Sequence, residues 1–252
     1  MARATAEMLL GGSVELVGVG IRSGSGPVTD LPSGTQLLTD PTELSATRPD
    51  VVAEAASRES VLPWGLAALD AGIDFIVSST SAFADPEVLD ALRVAATNTG
   101  AQLQIQPGAL GGVDALSAAR GMGLDTVEHR VTKPPLAWRG TPAERLCDLA
   151  ALTEPEVFFS DSAAEAASQF PKNANVAMTT ALAGVGPAKT KITLVADPHA
   201  TTNQHEITAS GDFGQLNVKI SNKALPGNPK TSAMAALNLV RCIENRASSI
   251  VI

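Results

Sequence analysis

The stretch from Val51 to Gln106 constrains this chain most, because short apolar runs alternate there with helical runs across brief connections. Val51 to Ala55 predicts a strand, Ser60 to Ala71 a helix closed by Gly72, and Asp74 to Ser79 a second strand. Asp85-Pro86 opens another helix that ends before Gly100, and Ala101 to Gln106 predicts a third strand. The run from Asp74 shows no polar alternation, as expected of a strand covered on both faces. Strand, helix, strand, helix, strand with short links implies a parallel sheet with right-handed crossovers. Such sheets bind ligands at the carboxyl ends of their strands. Here those ends are Ala55-Ala56-Ser57, Ser78-Ser79-Thr80-Ser81 and Gln106-Pro107-Gly108-Ala109, small or polar groups that let a ligand approach the backbone.

The residues before this stretch are harder to fit to a doubly wound sheet. Met1 to Leu10 predicts a helix stopped by Gly11-Gly12, and Val14 to Val19 a strand. Gly18 and Gly20 then have the spacing of a phosphate-binding loop, but Ser23 stands where its third glycine belongs. Gly24-Ser25-Gly26-Pro27 cannot open the helix that such a loop needs, so an irregular connection is the better reading. Arg22 lies where a second strand of this kind often carries an acid facing an adenosine ribose, which would tolerate a 2′-phosphate there. Asp40-Pro41-Thr42-Glu43 predicts a capped helix start.

Beyond Gly111-Gly112 the pattern becomes α+β. Helices are expected at Val113 to Met122, Asp161 to Phe170 and Asn173 to Ala183. Strands are expected at Thr126 to Lys133, Glu156 to Ser160, Lys191 to Ala196 and Glu206 to Ser210. A turn at Gly211-Asp212-Phe213-Gly214 leads to Gln215 to Ile220, whose strict alternation predicts one buried and one wet face. Asn228-Pro229-Lys230-Thr231-Ser232 reads as the opening of a final helix to about Arg246.

Charge and composition remove several functions. A net charge of −8 over 252 residues, with Lys and Arg dispersed, leaves no basic stripe for nucleic acid. No run approaches the roughly 20 apolar residues that cross a bilayer. Two cysteines, Cys147 and Cys242, and the lack of an apolar leader point to a cytoplasmic protein with reduced thiols. Proton transfer falls to the three histidines. His205 lies at the start of a strand beside Asn203, with Asp197 behind the turn, and is the candidate acid-base group. His199 reads as a solvated loop residue, and His129, between Glu128 and Arg130, as structural or exposed. The spacing of His199 and His205 fits no ligand pattern, so no metal is expected. Lys172, Asn173 and Asn175 at a helix N-terminus suit an anion or a carboxamide, with ordinary capping by Asn173 as the alternative. Lys230 is a second anion contact or a solvated side chain.

Seven blocks, in order along nearly the whole chain, together resemble the L-aspartate dehydrogenase family. They are Val52-Ala53-Glu54-Ala55-Ala56, Ala82-Phe83-Ala84-Asp85, Gly108 to Leu116, Lys133-Pro134-Pro135 with Trp138 to Glu144, Phe170 to Val176, Asp197-Pro198 with Asn203 to Ile207, and Asn228 to Ser232. The resemblance implies a Rossmann-like parallel-sheet domain over 1–108, an α+β catalytic and dimerisation domain over 109–226, and a helix over 227–252 that packs back on the first domain. It implies a homodimer that uses NAD or NADP to convert L-aspartate to iminosuccinate, and so to oxaloacetate and ammonia, and that feeds NAD biosynthesis. His205 matches the family's active-site histidine, and Ala109 and Asn175 its nicotinamide contacts. Arg22, Ala55 and Thr80 complete the expected cofactor side. Lys172, Asn173, Asn203 and Lys230 are expected to bind the substrate. The family's first strand and glycine-rich loop have no counterpart here, Met1 to Leu10 corresponding to the helix after that loop. Pro107 and Ser81 stand where a serine and a glycine are common. A catalytically impaired homologue that binds a metabolite or partner, and a related imine or amino-acid oxidoreductase, are the alternatives.

Overall fold

Alternating apolar and helical runs build the first of two units. A computed structural model describes residues 1–26, 28–226 and 228–251, without the side chains of Lys172 and of residues 228–230. One unit comprises Met1–Gln106 with Ala236–Ile252, the other Pro107–Ala235. The first unit runs α1 (Ala2–Leu9), β1 (Gly18–Gly20), β2 (Gln36–Leu38), α2 (Leu44–Thr47), β3 (Val51–Glu54), α3 (Arg58–Asp70), β4 (Asp74–Val77), α4 (Pro86–Thr99) and β5 (Leu103–Ile105). Strands β3, β4 and β5 form the expected parallel sheet, with Val51 opposite Asp74 and Phe75 opposite Leu103. Phe75, Ile76 and Val77 are fully buried, which explains the missing alternation. Asp85 caps α4 by accepting from the Glu87 N–H, and Gly100 ends it with a φ of 80°.

The start of the chain departs from expectation. The strand predicted over Val14 to Val19 lies at Gly18–Gly20 and pairs in parallel with β2, an element too short to leave a signal. Gly18 and Gly20 are therefore ladder residues. A Cβ at Gly20 would come within 2.9 Å of the Trp64 ring, so that glycine serves close packing against α3. Asp40 does form a capping box with Glu43, but the box opens only one 3-10 turn and the four-residue α2.

The second unit runs α5 (Val113–Ala119), β6 (Leu124–Lys133), β7 (Glu156–Ser162), α6 (Ala163–Gln169), α7 (Ala174–Ala183), β8 (Lys191–Ala196), β9 (Asn203–Gly211), β10 (Gly214–Asn222), β11 (Ala224–Leu225) and β12 (Asn228–Ser232). Its main sheet has the order β10-β9-β6-β8-β7 and is mixed: β6 and β8 are parallel, every other pair antiparallel. Alternate residues Val127, Val131, Ile192, Leu194, Ile207 and Ala209 are buried. They pack with Ala163, Phe170, Ala177 and Ala183 of the helical side. Glu128, Arg130, Lys191 and Lys219 point the other way and are exposed.

Residues 228–232, expected to open the last helix, instead form β12, antiparallel to β11. Asn-Pro is good helix-start chemistry, but here the ladder to Ala224 and Leu225 decides the conformation. The helix α8 (Ala233–Glu244) comes next. Its Leu239 and Cys242 pack against Ile76, Val51 and Ala53. Arg246 then pairs with Asp74 at 2.6 Å and reaches Gln104 at 3.1 Å, in the first unit.

Candidate active site

Strand β9 begins at Asn203, three residues before the expected Glu206, so His205 lies within the ladder and not at its start. The pleat then fixes its direction: Asn203, His205, Ile207 and Ala209 share one face, and His205, Ile207 and Ala209 are buried. Pairing of Val131 with His205 and of His129 with Ile207 makes the two histidines diagonal neighbours across β6 and β9. Their rings meet: His129 Nε2 lies 3.1 Å from His205 Nδ1. His129 Nδ1 in turn lies 2.9 Å from the Thr180 hydroxyl of α7. His129 is 0% and His205 5% exposed, so of the two expectations for His129, structural or exposed, the exposed one is excluded.

Lys133 belongs to the same face of β6, at the end of that strand, because Pro134-Pro135 cannot continue a ladder. Its Nζ sits 4.7 Å above the ring of the fully buried Trp138 and donates to Asn173 Oδ1. Trp138 is held by its own N–H, which donates to the Val195 carbonyl at 2.9 Å. Asn173 occupies the N-cap position of α7 but makes no side-chain cap bond, so the capping alternative gives way to a bond with Lys133.

Burial sets the electrostatics. It pushes His129 down to about 3, leaving a neutral imidazole. Burial also holds His205 well below the ordinary histidine range, with further lowering from His129 and Lys133. Lys133 is pushed down to about 8 by the same cause. A neutral base thus stands near an ammonium whose proton is held less firmly than usual.

The other expected residues divide between the units. Asn203 pairs in register with Asn222, whose amide donates to the Ala109 carbonyl at 2.9 Å. Asn203 and Ala109 are thereby tied to the strand pair that carries His205. Asn175 is exposed in the first turn of α7. The side chains of Lys172 and Lys230 lie outside the described residues. In the first unit, Arg22 is exposed and Ala55 half-buried. Thr80 opens the 3-10 turn after β4 and has no exposed surface. The buried acid at that edge is Glu54, whose carboxylate accepts from the N–H groups of Ala56, Ser78 and Ser79 at 2.7, 3.2 and 2.8 Å. His199 is exposed, 4.0 Å from Glu154. Among the described residues no group of three His, Cys, Asp or Glu could hold a metal ion, and no helix is long and apolar enough to cross a membrane.

Sequence reasoning did not group His129, Thr180 or Lys133 with His205, nor single out Glu54 at the edge of the parallel sheet. One signal was present: residues 127, 129, 131 and 133 alternate into a single face, which groups His129 with Lys133.

Comparison with known proteins defines the class first. Residues 2–106 match the homoserine dehydrogenase NAD-binding domain, so the fold is that of a dehydrogenase built on a dinucleotide-binding unit. Residues 114–246 match the aspartate dehydrogenase C-terminal family. A curated L-aspartate dehydrogenase from Brucella anthropi is 52% identical over 240 residues, covering 95% of this chain and 90% of that one. Another from Cupriavidus necator is 44% identical over 223 residues, covering 88% and 83%. The crystal structure of aspartate dehydrogenase from Thermotoga maritima superposes with a TM-score of 0.78 at 28% identity, covering 99% of this chain and 94% of that one. The chain belongs to the L-aspartate dehydrogenase family.

Proposed function

We propose that the chain oxidatively deaminates L-aspartate to iminosuccinate, which water converts to oxaloacetate and ammonia, with NAD or NADP as cofactor. The observation that carries this reading is the convergence of a buried, neutral His205 and the Lys133 ammonium on one face of one sheet. The chemistry of the first unit fits the cofactor. Ala55, at the carboxyl end of β3, is small, and Glu54 already satisfies the backbone N–H groups beside it, so that edge suits an uncharged, hydroxyl-bearing portion. Arg22, exposed, would meet phosphate; Ala109 and Asn175 would hold the nicotinamide end. When bound, the nicotinamide supplies the hydride acceptor.

The protein positions the substrate and manages protons. His205 takes the proton released as the amine becomes an imine or as water adds to it. Lys133, oriented by Asn173 and Trp138, receives a substrate carboxylate, and Asn203 is placed to donate to the same molecule. Lys172 and Lys230 remain proposed contacts for the second carboxylate. NAD(P)H formation from aspartate tests the reading: His205→Ala should slow turnover by about 100- to 10,000-fold. Equal rates from the two proteins would remove His205 from the chemistry.

We also propose a cytoplasmic homodimer whose product enters NAD biosynthesis. The exposed sheet face supports the dimer, since it sets the carboxylates Glu128 and Glu206 among Arg130, Lys191 and Lys219, charges of both signs that suit a self-complementary contact. Sedimentation equilibrium should give twice the chain mass, and Arg130→Glu with Lys219→Glu should shift it toward the monomer. A monomeric wild type would sink this reading.

A further inference from the structure

Three hydrogen bonds behind His205 have a direction, and the direction decides which of its nitrogens is the base. The Thr180 hydroxyl lies 3.0 Å from the Val176 carbonyl one turn back in α7 and 2.9 Å from His129 Nδ1. A hydroxyl has one proton and two lone pairs, and a neutral imidazole has one N–H and one lone pair. If Thr180 donates to Val176, its oxygen accepts from His129 Nδ1–H. His129 Nε2 then has only a lone pair, which accepts from His205 Nδ1–H across 3.1 Å. All three contacts are hydrogen bonds in this arrangement. In the opposite one Thr180 donates to His129, His129 Nε2–H donates to His205 Nδ1, and the Val176 contact is lost, leaving two. His129 and Thr180 have no exposed surface, so a bond forfeited between them is not replaced by bulk solvent.

We propose that Thr180 and His129 are positioning residues which lock His205 as the Nδ1–H tautomer, leaving its Nε2 lone pair as the base. This rests on the assignment of His205 as the proton acceptor under the proposed function. The relay differs from a carboxylate behind a histidine, because its acceptor is neutral: burial, which pushes His129 down to about 3, keeps it uncharged near neutral pH. The backing group therefore orients His205 without adding a negative charge that would hold a proton on it. When His205 takes a proton at Nε2, its Nδ1–H still donates to His129, so nothing in the relay has to turn. The ammonium of Lys133, at the end of β6, opposes premature protonation of His205.

The test combines a spectroscopic and a kinetic measurement. Nitrogen-15 NMR of the histidine-labelled, unliganded protein, assigned with His199→Asn, should show protonated Nδ1 and unprotonated Nε2 for both His129 and His205. Thr180→Val should release the pattern into a mixture and lower kcat by about 10- to 100-fold with KM for aspartate nearly unchanged, since partners behind a functional imidazole have effects of that order. Thr180→Ser should restore both. An Nε2–H tautomer at His205 in the wild type, or a Thr180→Val protein changed only in KM, would overturn the proposal. The expected NMR pattern in a protein inactive on aspartate would leave the relay standing and remove the proposed function instead.

Discussion

At the scale of single residues, Lys133 is the group whose chemistry departs furthest from its free behaviour while remaining useful near neutral pH. Its ammonium lies over the Trp138 ring and donates to Asn173, and burial brings its proton affinity down to about 8. Below that value the free enzyme offers a cation to a substrate carboxylate; above it the cation is lost. The expected outcome is a kcat/KM for aspartate that falls as pH rises through about 8, with the loss in KM. Lys133→Met should raise KM by about 10-fold or more, the scale of a hydrogen bond to a charged group, and flatten that alkaline limb. An unchanged pH profile in the variant would exclude Lys133 from substrate binding. His205 was legible in the sequence because a strand start and two nearby polar residues flanked it. The place of His129 beside it was not, since their contact spans 76 residues and a register that no local pattern records.

At the scale of elements, packing of α3 and α4 onto the parallel sheet rests on one close approach. A Cβ at Gly65 would stand 2.7 Å from Leu92 Cδ2 and 3.0 Å from Phe75 Cε1, both on fully buried side chains. Gly65→Ala gains helix propensity but overpacks this layer, and should destabilise the first unit by about 1 to 3 kcal/mol. A urea midpoint equal to or above that of the wild type would show that the layer can give way. Elements with strong local signals were readable: Lys191–Ala196 is the strand its composition predicted, and β3 to β5 alternate with helices whose caps at Asp85 and Gly100 are plain. The three-residue β2 and the strand Asn228–Ser232 were not readable. A partner strand decides the conformation of both, because β2 is too short to carry a pattern and Asn228-Pro229 reads locally as a helix start.

At the scale of the whole molecule, chain order and spatial units differ. Residues 236–252 return to the first unit after the second is complete, and Arg246 closes it by pairing with Asp74. Stability should depend on pH through the second unit. His129 is neutral when folded and held down to about 3, whereas in the unfolded chain it titrates near 6.5. Its contribution is therefore complete above 6.5 and declines as pH falls, by about 2 kcal/mol at pH 5. His205, lowered in the same direction, adds to the loss. Urea midpoints between pH 7 and pH 5 measure this, and His129→Asn should weaken the dependence; a midpoint insensitive to pH would contradict the buried neutral pair.

The strand alternation that turns His129, Lys133 and His205 inward has a consequence for how such a gene can change. A codon deleted at Asn203 or Gln204 shifts the register of the rest of β9 by one residue, turning His205 toward solvent and Glu206 toward the core. Two deleted codons preserve the facing. Length variation within β6 and β9 is thus filtered by parity: odd changes abolish core and chemistry together, and even ones are the only steps by which the two strands can drift.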